Sequence, residues 1–190
     1  MAEASARPMT CEEFFEWQLD RDERYELVDG VPTPLRAMTG ASNVHDAILV
    51  NCIIELGTRL RGKPCRVASA DTAVRTSIRS LRRPDVTVDC APPDARSFEA
   101  SKPTVVIEVL SPSTRKIDRF TKLEEYRRHP NLRHILLVDP DSIAAKLYSR
   151  PANGEWTDAS LIGWDAVIDF VAIEVAMPLG TLYERIDMPA

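Results

Sequence analysis

Glu108 stands in the run Val105 to Leu110, whose other residues are all aliphatic. If that run is a strand, its side chains alternate and Glu108 shares a face with Val106 and Leu110. An ionised carboxylate in such surroundings must be paired, protonated or bound to a cation. Asp85 opens a second β-rich run directly after Arg82-Arg83-Pro84, where the proline cannot donate to a sheet ladder and so favours a strand entry. Acids from two adjacent strands could share one divalent ion. Oxygen-only ligation with few carboxylates suits Mg²⁺ or Mn²⁺, which keep several waters and take substrate phosphates as further ligands. A metal so held activates water for attack on phosphorus. The plainer alternative is that Glu108 pairs with a buried Arg or His and that Asp85 caps a turn.

Pro112 and Ser113 open a segment that reads as a helix to about Arg128. At 100° per residue, Ile117, Phe120 and Leu123 form its apolar stripe, and Lys122 lies nearly opposite, with Asp118 at i−4 and Tyr126 at i+4. Lys122 is then either a solvated partner of Asp118 or, if that face overhangs the strand ends, a group that orients the attacking water or holds a phosphate.

These residues need a sheet to carry them. Thr10 and Glu13 have capping-box spacing before a first helix ending near Leu19. Tyr25 to Val31 reads as a strand with an Asp29-Gly30 hairpin signal, and Pro32 and Pro34 make the return strand either short or an edge. Ser42 or Asn43 can cap a second helix with Val44, Ile48, Cys52, Leu56 and Leu60 at i+4 spacing, ending near Gly62. Arg66 to Ala70, Thr72 to Ile78 and Asp85 to Cys90 have strand character. Val105 to Leu110 and His134 to Asp139 read as buried strands, the latter pairing with Ala145 to Ser149. Val171 to Val175 and Leu179 to Ile186 suggest a last strand and a short helix. No repeat or linker interrupts the chain, so one domain spanning residues 1–190 is expected.

With 44% hydrophobic and 28% charged residues the composition is that of a globular protein, which excludes collagen-like or disordered chains. No apolar run approaches the ~18 residues of a membrane helix. Met1 to Thr10 has no leader-like apolar core, so a cytoplasmic location is expected. The four cysteines, Cys11, Cys52, Cys65 and Cys90, contain no C-x-x-C pair and read as reduced thiols, two of them in the core. The net charge of −5 is unevenly spread. Residues 1–30 carry 9 acids against 3 bases, whereas residues 59–83 carry 8 bases against Asp71 alone. That basic middle is either a polyanion-attracting face or an ordinary solvated surface.

Taken in order, Arg83-Pro84-Asp85, Val106-Ile107-Glu108-Val109-Leu110-Ser111-Pro112-Ser113-Thr114, Asp118, Lys122, Tyr126 and Leu137-Val138-Asp139-Pro140 resemble the Uma-type endonucleases of the PD-(D/E)XK restriction-endonuclease-like superfamily. Met9-Thr10-x-Glu12-Glu13-Phe14, Tyr25-Glu26-Leu27-Val28-Asp29-Gly30 and His45 extend the likeness over nearly the whole chain. The resemblance implies an α/β (α+β) restriction-endonuclease-like core, a central mixed β-sheet flanked by helices. It implies a Mg²⁺- or Mn²⁺-dependent endonuclease acting on DNA, with RNA as the related polyanion, working as a homodimer and without a membrane partner. Asp85, Glu108 and the Val109 carbonyl would hold the metal. Leu110 occupies the usual lysine position, and Lys122 on the following helix matches the lysine of Uma-type members. Glu26 matches an N-terminal acid that assists the metal or a second ion. His45, Tyr126, Arg83 and Ser111 stand as candidates for contacting substrate. Two other classes compete: a restriction-like module that binds nucleic acid or assembles without cutting, which Leu110 favours, and a metal-dependent hydrolase of smaller phosphate esters.

Overall fold

The computed structural model describes residues 7–35, 43–110 and 118–188, and within the third span it leaves the side chains of residues 118 and 119 undescribed. Helix α1 (Cys11–Leu19) starts at the expected capping box. The Thr10 hydroxyl accepts from the Glu13 N–H and the Glu13 carboxylate accepts from the Thr10 N–H. It lies over a four-stranded sheet of order β2-β1-β5-β4, formed by β1 (Tyr25–Val28), β2 (Val31–Pro34), β4 (Val74–Ser77) and β5 (Ser80–Arg82). Cys11, Phe14, Leu27, Ala73 and Leu81 make its core. Asp29 and Gly30 both have positive φ, 49° and 83°, as a two-residue hairpin turn requires. Gly30 is also sterically fixed, because an added Cβ would come within 2.5 Å of the Pro8 Cβ. The proline-bearing β2 is an edge, as its composition predicts.

The larger sheet has six strands in the order β10-β9-β8-β7-β6-β3. They are β3 (Arg66–Ser69), β6 (Val86–Asp89), β7 (Pro103–Val109), β8 (His134–Val138), β9 (Ala144–Ser149) and β10 (Thr157–Ile162). Only β7 and β8 pair in parallel. The chain joins them through α3 (Asp118–Arg128), the crossover that parallel strands need. Helix α2 (Asn43–Arg59) packs Ile48, Cys52 and Leu56 against one face, together with the hairpin β11 (Val167–Phe170) and β12 (Val175–Pro178). On the other face Val106, Ile135 and Leu137 meet Leu123 and Tyr126 of α3. Burying each such side chain is worth about 1.5–3 kcal/mol. This is the expected mixed sheet between helices.

Several local expectations are corrected. Cys65 and Cys90 form a disulfide, whereas Cys11 and Cys52 are free and buried. Arg66 lies opposite Asp89 in the β3–β6 register, so the two flanking cysteines come level, with Cα atoms 4.0 Å apart. Sequence spacing alone hides that pairing. The Thr72–Ile78 strand is shorter than expected, and β5 and β10 were unforeseen because β5 has only three residues and β10 buries none of its side chains fully, so neither shows an alternating pattern. Val171–Ile173 is a 3-10 turn between β11 and β12 rather than a strand. The proposed Ser42 cap and the opening of the third helix at residues 112–117 lie outside the described residues.

Candidate active site

Asp85 and Glu108 meet because of strand register. Val86 pairs with Ile107 in the antiparallel β6–β7 ladder, so one rung further Asp85 comes level with Glu108, and opposed residues share a face. Val109 then serves both sides of the site. Its N–H donates to Asp85 Oδ2 at 2.7 Å, and its carbonyl lies 3.1 Å from His45 Nε2. His45, buried at the start of α2, also stands 3.6 Å from Asp85 Oδ2, an ion-pair contact longer than a hydrogen bond. The Asp85 carboxylate raises the imidazole pKa above its usual value against the opposing effect of burial.

Glu108 projects from β7 toward α3. Tyr126, itself buried, donates its hydroxyl to Glu108 Oε1 at 2.7 Å, and Lys122 Nζ lies 3.9 Å from the same oxygen. Burial pushes the Glu108 carboxyl up to about 7. The negative charges of Asp85 and Glu26 add to that shift, while Lys122 and Tyr126 oppose it. The same burial, followed by the neighbouring Glu108, holds the Tyr126 phenol protonated.

The expected apolar stripe of α3 is corrected here. Phe120 is 71% exposed, and the buried face is Leu123 and Tyr126, which turns Lys122 toward the sheet. Ile117 lies outside the described residues, and so do Ser111 and the Asp118 side chain. Lys122 Nζ sits 3.1 Å from Glu26 Oε1. Both oxygens of Glu26 are engaged: Oε1 also accepts from the Arg83 N–H at 3.0 Å, and Oε2 from Arg82 Nη1 at 3.0 Å. Burial would raise the Glu26 carboxyl, but Lys122, the Arg83 N–H and Arg82 outweigh it and hold the group below its usual range.

The Arg83 guanidinium is not brought to the carboxylates. It donates to the carbonyls of Tyr25, Ala70 and Asp71, so only its main chain serves the site. Sequence reasoning missed Arg82 and Glu125. Arg82 is buried between Glu26 and Glu125, the latter also bonded to Thr76. The i, i+3, i+4 spacing of Lys122, Glu125 and Tyr126 was the available signal, since it puts three polar groups on one helical face.

Most of the basic run 59–83 is engaged by groups of the same chain, although Arg59, Arg61 and Arg79 are exposed. Arg59 pairs with Glu55, Lys63 caps the carbonyls of Ile173 and Glu174, Arg66 pairs with Asp89, and Arg75 with Glu12 and Glu99. With Arg82 and Arg83 also engaged, the run is an intramolecular ion-pair frame rather than an open basic track. Among the described residues no group of three His, Cys, Asp or Glu side chains is arranged to hold a metal. The donor set of Asp85, Glu108 and the Val109 carbonyl fits a hard cation nonetheless. Two neighbouring carboxylates repel each other here, and Mg²⁺ needs only one or two of them beside water.

Comparison with known proteins bears on family and fold. A sequence profile of the Uma2 family, described as "Putative restriction endonuclease", matches residues 11–179. The uncharacterized protein slr1290 of Synechocystis sp. is 33% identical over 150 residues, covering 78% of this chain and 77% of that protein. A second uncharacterized Synechocystis protein, sll1609, is 25% identical over 179 residues, covering 92% and 99%. Among solved structures, one described as "a putative nuclease belonging to DUF820" from Anabaena variabilis superposes with a TM-score of 0.73 at 17% identity, covering 93% of this chain and 98% of that one. That likeness establishes the shared fold.

Proposed function

The chain belongs to the Uma2 family, and from that premise we propose that it is a divalent-metal-dependent endonuclease that hydrolyses DNA phosphodiester bonds at the Asp85–Glu108–Lys122 cluster. The family description supports a nuclease. The observation that carries the reading is the convergence of a part-buried carboxylate on β7, a second one level with it, and an ammonium from α3 3.9 Å from the first.

Asp85, Glu108 and the Val109 carbonyl would hold Mg²⁺ or Mn²⁺. Bound there, the ion would supply an activated water and neutralise charge developing at phosphorus. The chain's own residues do the positioning. The Val109 N–H fixes Asp85 Oδ2, and the Tyr126 hydroxyl fixes Glu108 Oε1. A carbonyl has two lone pairs, so Val109 can keep His45 while accepting a metal. Glu26 serves as counter-ion to Lys122, holding the ammonium where it can stabilise negative charge on a phosphate oxygen. Lys122 thereby replaces the lysine that Leu110 cannot supply. Its place beside Glu108 favours a cutting enzyme over a binding module.

The test is to incubate supercoiled plasmid and single-stranded DNA with the protein in Mg²⁺, Mn²⁺ or EDTA, beside a Glu108→Ala preparation. Nicking that requires metal and disappears in the variant is the expected result. DNA retained in a gel shift, with no cleavage in either metal, would transfer the reading to the non-cutting module.

A further inference from the structure

The outer line of α2 is apolar where a surface helix is ordinarily polar. Ile48, Cys52 and Leu56 point into the core, while Val50 and Ile54 on the opposite side are 44% and 56% exposed. Gly57 lies on the same line, and a Cβ built there would meet nothing within 4 Å. A glycine inside a helix weakens it relative to alanine, and no contact among the described residues accounts for this one. At 100° per residue, Asp46, Val50, Ile54, Gly57 and Arg61 fall within roughly 80° of one another. Asp46 is in the first turn of the helix, and Arg61 is just past its end; both are exposed. The 4-3-4 spacing of Val50, Ile54, Gly57 and Arg61 is that of a helix–helix seam.

That seam is complementary to itself. Turned antiparallel about the point between Ile53 and Ile54, it sets Asp46 level with Arg61, Val50 level with Gly57, and the two Ile54 side chains beside the axis. A parallel arrangement would instead put like charges together at each end. We propose that α2 is the surface through which two copies of this chain associate, antiparallel, with Val50 of each seated over Gly57 of the other and an Asp46–Arg61 ion pair closing each end. The charge match of the seam with itself selects a second copy over any other occupant. Because His45 sits at the N-terminal end of α2, the two candidate sites lie at opposite ends of the helix pair.

Sedimentation equilibrium of the full chain tests this independently of any nuclease activity. The wild type should approach twice the 21.3 kDa chain mass as concentration rises. Ile54→Glu, at an exposed position, should keep the wild-type circular dichroism and sediment as a monomer. Asp46→Arg and Arg61→Asp should each weaken association at least tenfold, and the double variant should restore it, because the reversed charges again meet opposite partners. A wild type that stays monomeric at every soluble concentration would overturn the proposal. So would a dimer that survives Ile54→Glu, since association would then run through another surface such as the open edge of β10. A double variant that remains monomeric would overturn the antiparallel pairing.

Discussion

Glu108 decides how the site behaves without metal. Its carboxyl is raised to about 7 in the fold, first by burial, against 4.5 for the ordinary side chain. A group whose folded pKa exceeds its unfolded one contributes stability below the unfolded value and loses it as pH rises through the folded value. The metal-free protein should therefore carry a cost at pH 8 that Glu108→Gln removes. The variant is expected to be more stable than the wild type by roughly 3 kcal/mol at pH 8, with the gap closing below about pH 4.5. Urea melts in EDTA at the two pH values measure it. A gap independent of pH would mean that the carboxylate is not paying the expected cost of ionisation. Glu108 stood out in the sequence because it interrupts an aliphatic strand, and Asp85 because it is the acid that opens the neighbouring one after Pro84. The second role of Glu26, as the partner of Lys122, was not, because it depends on a contact between β1 and α3 that no local pattern encodes.

Elements bring these residues together, and here the sequence was informative in proportion to periodicity. The capping box of α1, the i+4 stripe of α2 and the continuous apolar runs of β7 and β8 each appear where expected. The misread elements lack such periodicity. Phe120 looked like core and is exposed, because α3 buries a face on which Lys122, Glu125 and Tyr126 meet partners from β1, β4, β5 and β7. The Cys65–Cys90 bridge was hidden because only the β3–β6 register makes the two residues neighbours. It closes a loop with a sequence separation of 25, which chain-entropy arguments value at about 3 kcal/mol. Replacing both cysteines with serine should lower stability by about that amount, read as a fall in the urea midpoint. It should leave the Asp85 end of β6 intact, because Cys90 lies beyond the opposite end of that strand. A double variant as stable as the wild type would show that the bridge adds nothing to the β3–β6 pairing.

At the scale of the whole molecule, the four-stranded sheet delivers Glu26 and Arg82, the six-stranded sheet delivers Asp85 and Glu108, and α3 spans the two with Lys122, Glu125 and Tyr126. The site is therefore a junction, at which Arg82 bridges Glu26 of the smaller sheet and Glu125 of α3. Family membership and the mixed-sheet fold are those that the sequence led one to expect. The claim on which the account rests is that the Asp85–Glu108 pair is a divalent-metal centre, with Lys122 acting beside it and not in it. Calorimetric titration with Mn²⁺ tests this most directly, using the wild type, Glu108→Ala and Lys122→Met. The account predicts one Mn²⁺ per chain in the wild type and in Lys122→Met, and loss of that binding in Glu108→Ala. Mn²⁺ binding that is unchanged in Glu108→Ala would contradict it.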